Sequence, residues 1–144
     1  MFLLSESEIL KEANNDSKTY NKIYKFFKNY EKENNIKVYT TSMMKKDGFN
    51  ENTFVEMIAK LYAEKIDLPQ SLKQNMNPLN FLSKTRINNK NIQFITQRVK
   101  DYWYVLVLED GNPKYIGIVE ELKDERIIAE LISFSNLQEF IRNN

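Results

Sequence analysis

Asp101-Tyr-Trp-Tyr-Val-Leu-Val-Leu108-Glu-Asp110-Gly111-Asn-Pro-Lys114-Tyr-Ile-Gly-Ile-Val-Glu120, followed by Glu125-Arg-Ile-Ile-Ala-Glu-Leu-Ile-Ser-Phe134, decides the fold. Tyr102 to Leu108 is an unbroken run of aromatic, β-branched and aliphatic residues that stops at Asp110-Gly111. A run this short is too brief for a core helix and suits a strand covered on both faces. Asp-Gly between two such runs is a hairpin signal, because both residues tolerate positive φ. The stretch therefore predicts a β-meander. An α+β fold follows, with N-terminal amphipathic helices packed on a C-terminal antiparallel sheet of about four strands, and a short C-terminal helix.

Working outward, Asn91–Val99 alternates well enough to precede the central strand. Lys114–Leu122 and Arg126–Phe134 follow it. Ser135-Asn-Leu-Gln138 reads as a capping box that opens a terminal helix over about 136–142, with Leu137, Phe140 and Ile141 inward. Upstream, Lys18–Asn34 is the clearest amphipathic segment. At about 100° per residue, Tyr20, Ile23, Tyr24, Phe26, Phe27 and Tyr30 share one face, and Lys18, Lys22, Lys25, Lys28 and Lys32 occupy the other. Asn50 is placed to cap a helix in which Phe54, Met57, Ile58, Leu61 and Tyr62 keep helical spacing. Ser5-Glu-Ser-Glu8 predicts a short first helix to about Ala13, and Pro69 a short helix carrying Leu72 and Met76. Ile36–Thr41 reads as a short strand or extended connection, closed by a turn at Asp47-Gly48. The 144 residues fit one domain, with a helical part over about 5–82 and a sheet part over about 91–134.

Composition excludes much chemistry. The chain has no cysteine and no histidine, so a disulfide framework, a thiolate zinc site, an imidazole ligand, a serine triad and a Cys–His dyad are all absent. Its three glycines are isolated, so no Gly-rich phosphate loop exists. No catalytic residue, metal site or cofactor is expected. Met1-Phe-Leu-Leu4 lacks a basic n-region and an adequate apolar core for a signal peptide. With no stretch long enough to span a membrane, the expectation is a cytoplasmic protein that engages no membrane.

The net charge of +1 conceals a division. Residues 68–100 carry Lys73, Lys84, Arg86, Lys90, Arg98 and Lys100 with no acidic residue, whereas 101–144 carry nine acidic groups against four basic ones. Such segregation creates a local field that the total hides. The expected partner-binding residues are Lys84, Arg86, Lys90 and Arg98 from the basic segment, and Lys18, Lys22 and Lys25 from the helical stripe. The group Glu120-Glu121, Asp124-Glu125 reads as a charged hairpin end rather than a hard-cation site. Glu130 shares a strand face with Ile128 and Ile132, and an ion pair with Arg98 or Arg126 is expected for it. Trp103, Tyr102, Tyr104 and Tyr115 are expected in the core, with their polar atoms at its margin.

Two functional classes fit. The first is a protein-interaction module that binds and blocks another macromolecule through an acidic surface, in the manner of an immunity protein, antitoxin or anti-defence inhibitor from a bacterium or phage. The second is an RNA-binding protein or histidine-free ribonuclease-type toxin. In that case Lys84, Arg86 and Arg98 would serve phosphate, and Tyr102 or Glu130 proton transfer.

Overall fold

The computed structural model describes residues 18–66 and 90–144. Among these, four helices and an antiparallel five-stranded sheet follow the order α1 (Lys18–Asn34), β1 (Lys37–Val38), α2 (Thr41–Asp47), α3 (Glu51–Lys65), β2 (Ile92–Val99), β3 (Tyr102–Glu109), β4 (Asn112–Glu121), β5 (Ile127–Ser133) and α4 (Phe134–Asn143). The expected α+β architecture holds. The helices expected near Ser5–Ala13 and after Pro69 lie outside the described residues, as do Lys84 and Arg86.

The meander β2–β3–β4–β5 is built from consecutive hairpins. Glu109 pairs with Asn112 across Asp110-Gly111, whose φ angles of 52° and 82° are those of a two-residue turn matched to strand twist. Val99 pairs with Tyr102 across Lys100-Asp101, with Lys100 at φ 54°. β1 adds a strand that sequence could not place. Lys37 and Val38 pair with Glu121 and Glu120 of β4. The next residue, Tyr39, donates its N–H to Val119 O (2.8 Å), and its carbonyl accepts from Trp103 N (3.1 Å). The chain thus enters between β3 and β4 where those strands separate beyond the Val105–Gly117 pair. It satisfies backbone groups that the separation would otherwise orphan.

Helices cover both faces. On one face α1 and α4 enclose Tyr102, Tyr104, Leu106, Ile116, Ile118 and Ile132; on the other α2 and α3 enclose Tyr39, Val105, Val107 and Val119. Double coverage explains why β3 lacks polar alternation, since every residue from Tyr104 to Leu108 is buried. Helix α1 ends at Asn35, which takes a left-handed conformation. Asn50 caps α3 through Oδ1, which accepts from Thr53 N at 2.8 Å.

Two local expectations fail. Thr41–Asp47 is a helix and not an extended connection. Thr40 Oγ1 accepts from Met43 N, Gly48 supplies the left-handed cap, and Met44 is buried against α3's side of the sheet. The capping box at Ser135 does not form either. Helix α4 starts directly from β5 at Phe134, and Ser135 meets Ser133 hydroxyl to hydroxyl at 2.8 Å.

Gly117 sets the distance between α3 and the sheet. A Cβ there would lie 2.4 Å from Ile58 Cγ2, so only glycine admits the buried Ile58 side chain. Gly117→Ala should cost about 1–3 kcal/mol through overpacking. Ile58→Val should recover part of that loss in the double variant, as read from urea denaturation midpoints; an additive double variant would show that the contact does not set the spacing. Val105→Asp places a charge at a fully buried position of the central strand and should abolish the cooperative thermal transition.

Candidate functional site

The expected basic residues take different roles. Lys90 pairs with Glu109 at 3.1 Å, and Tyr62 donates to the same carboxylate at 2.7 Å. Against the opposing effect of burial, these two partners hold Glu109 below the usual carboxylate range. Lys22 turns to the C-terminus of α4, where Nζ reaches Ile141 O at 3.3 Å. Lys18 and Lys25 are exposed. Arg98 lies over the Trp103 ring, 5.8 Å from its centroid. The structure therefore separates Lys22 and Lys90 from the rest of the expected patch.

What the fold assembles instead centres on Tyr24. Its ring stands 5.5 Å from that of Tyr102, centroid to centroid. Lys100 Nζ, from the β2–β3 turn, sits 4.2 Å from the Tyr24 centroid. Lys28 Nζ, one helical turn on from Tyr24, lies 5.7 Å from that centroid and 5.5 Å from Tyr102's. Ammonium groups over ring faces gain cation–π attraction and stay hydrated outward. The helical stripe and the basic segment thus converge on one aromatic ring.

Beside them opens a cleft of about 670 Å³, lined by residues of α1, β1 and the start of β3, including Lys28, Lys32, Lys37 and Asp101. Glu31 forms its inner wall. Oε1 accepts from Tyr102 OH at 2.6 Å and Oε2 from Val38 N at 2.9 Å, which ties α1 to β1 and β3. Burial and this bond push the Tyr102 phenol up to about 12, while the Tyr102 hydroxyl raises the Lys28 ammonium above its usual range. A second cleft of about 400 Å³ lies around Tyr20, Glu51, Gln97, Arg98, Lys100 and Trp103. Lys100 bridges the two, being beside Tyr24 and lining the second. Trp103 is half-buried, its indole N–H donating to Thr41 Oγ1 at 3.0 Å.

Behind α1 lies a group that the sequence reading missed. Glu120 was expected in an exposed charged turn, yet it is 3% exposed. It follows Ile116 and Ile118 on the same face of β4, and that alternation was the available signal. Glu130 does not meet Arg98 or Arg126. Instead Tyr30 OH donates to its Oε2 at 2.8 Å, and Arg126 pairs locally with Asp124 at 2.7 Å. Since Glu120 pairs with Ile128 and Ile118 with Glu130, the two glutamates are diagonal neighbours on one sheet face. Of the aromatic group, Tyr102 and Tyr104 are core residues and Tyr115 is half-buried. Tyr104 OH has no hydrogen-bond partner.

Among the described residues, no cluster of three or more candidate ligands is grouped to hold a metal ion, and no helix is long and apolar enough to cross a membrane. No protein-family model, curated protein or solved structure matches the chain.

Tyr102→Phe removes the hydroxyl while keeping the ring. It should cost about 1–2 kcal/mol, because Glu31 Oε1 loses its donor at a partly buried site. Lys90→Ala, which breaks a largely exposed pair, should cost under about 1 kcal/mol. Urea denaturation of the two variants in the same buffer checks the ranking.

Proposed function

We propose that this chain is a cytosolic interaction module that binds, and by binding blocks, a macromolecule carrying an acidic surface, with the cleft between α1, β1 and β3 as its contact face. The observation that carries this reading is the convergence of Lys28 and Lys100 on Tyr24. Two cations from distant parts of the chain stand together with no carboxylate ion-paired to either among the described residues. Cations held on aromatic rings beside an open cleft supply both an anchor and a steering field.

An acidic protein is favoured over a phosphate backbone by the distribution of acids. Glu31, Asp101 and Glu51 are interleaved with the lysines along both clefts. That suits discrete, alternating charges on a folded partner better than the uniform negative charge of nucleic acid. Lys100 also occupies the Tyr24 ring on which a base would stack. RNA stays as the second reading because Arg98 on the half-buried Trp103 extends the cationic, aromatic surface.

Lys28→Glu/Lys100→Glu reverses the decisive charges without entering the core. Fluorescence anisotropy at low salt, with a labelled Asp/Glu-rich peptide and a labelled single-stranded RNA, should show salt-sensitive peptide binding by the wild type. The double variant should lose it by more than tenfold, about the effect of removing 1.4 kcal/mol or more. Its thermal melt should be unchanged. RNA binding without peptide binding would select the second reading; binding of neither at low salt would remove the cleft as a contact face.

A further inference from the structure

Glu120 is an acid without a cation. It lies in the apolar face of β4 at 3% exposure, and its Oε2 has no hydrogen-bond partner. Its acidic neighbour is Glu130, which Tyr30 of α1 grips at 2.8 Å. Of the groups facing this pair, α1 contributes Tyr30 and Glu31, β5 contributes Glu130, and β1 contributes the exposed Lys37 next to Val38. The charges of α4, Glu139 and Arg142, are exposed. Among the described residues neither glutamate is in an ion pair. Two carboxylates this close in an apolar setting cannot both ionise without large cost.

We propose that Glu120 and Glu130 hold a proton that locks the C-terminal turn of α1 onto the sheet, so that the adjoining cleft is assembled in the protonated form and loosens as the proton is lost. The mechanical link is short. Tyr30 binds the glutamate pair, and the next residue, Glu31, holds Val38 N and Tyr102 OH in the cleft wall. Val38 is itself the backbone partner of Glu120. Lifting this turn of α1 hydrates Glu120 and strips the cleft of its inner wall in one movement.

The direction of the pH effect follows from which state holds the proton. Burial, then the hydrogen bond and charge of Glu130, raise Glu120 to about 8 from an ordinary value of 4.5. The closed state therefore binds more protons than the open one between those values. Its advantage is full below the ordinary carboxylate range, falls as pH rises toward 8, and changes no further above that. This regulation rests on the cleft being the contact face, although the proton lock itself does not.

The test uses the full chain labelled with ¹³C at the glutamate carboxyls, titrated by NMR from about pH 5 to about pH 9. One carboxyl should titrate near the upper end, and Glu120→Gln should abolish that signal. In parallel, exchange of the Val38 amide should accelerate by up to about tenfold per pH unit between about pH 5 and pH 8, beyond the intrinsic base-catalysed rise. It should stay faster than exchange of the central-strand Leu106 amide. Glu120→Gln should follow the intrinsic rise alone. Glu130→Gln, which removes the like-charged neighbour, should reduce the slope and serves if the first variant does not fold.

Absence of any glutamate titrating above about pH 6 would overturn the proposal. So would equal Val38 slopes in wild type and Glu120→Gln, or Val38 exchange no faster than that of Leu106. Acidic-peptide binding should weaken over the same pH window in the wild type and stay level in Glu120→Gln. Peptide that binds at no pH would defeat the interaction reading and leave the lock to be decided by titration and exchange.

Discussion

The backbone of Tyr39 is shared between two strands that part from each other, and much of the molecule is arranged around that sharing. Its N–H satisfies Val119 and its carbonyl satisfies Trp103. Buried strands can diverge only if their exposed hydrogen-bonding groups find other partners. By filling the fork, β1 lets the ends of β3 and β4 splay, and it brings the end of α1 against the opening. The cleft, the Glu31 bonds and the position of Tyr102 all depend on this insertion.

Polar and apolar requirements are reconciled at that same end of the sheet. Farther along, β3 and β4 are purely hydrophobic between two helical layers. Near the fork, tyrosines replace aliphatics, and most of their hydroxyls find carboxylates: Tyr102 with Glu31, Tyr30 with Glu130, Tyr39 with Asp47. Tyr62 repeats the arrangement with Glu109 at the far side. Phenols serve here as donors to acids where cations are missing. The result is that lysines of α1 and the β2–β3 turn remain free to face outward on aromatic supports.

Much of this was legible from residues alone. Apolar spacing located α1, and Asn50 with the following apolar positions located α3. Asp110-Gly111 fixed the central hairpin. The misses are equally physical. Helix α2 is short, and its stabilisation comes from Thr40 and Gly48 caps and from Met44's burial, so periodicity over so few residues carried little signal. Glu130's partner could not be read, because Tyr30 lies a hundred positions away and only packing chooses between a phenol and an arginine. Glu120 was hidden by its neighbours: charged residues on both sides made it look like a turn, while its alternation with Ile116 and Ile118 pointed inward.

The sequence by itself determined which segments are helices and which are strands, that the central strand is covered on both faces, and which histidine- and cysteine-based chemistries the chain lacks. These are local or compositional properties, set by side-chain periodicity, turn conformations and the inventory of functional groups. Only the tertiary structure decided that Lys28 and Lys100 meet at Tyr24, that β1 enters the fork, and that two glutamates share a buried face. Each joins residues far apart in the chain. Their proximity follows from register and helix placement, which arise from the packing of whole elements and leave no mark in any short stretch of residues.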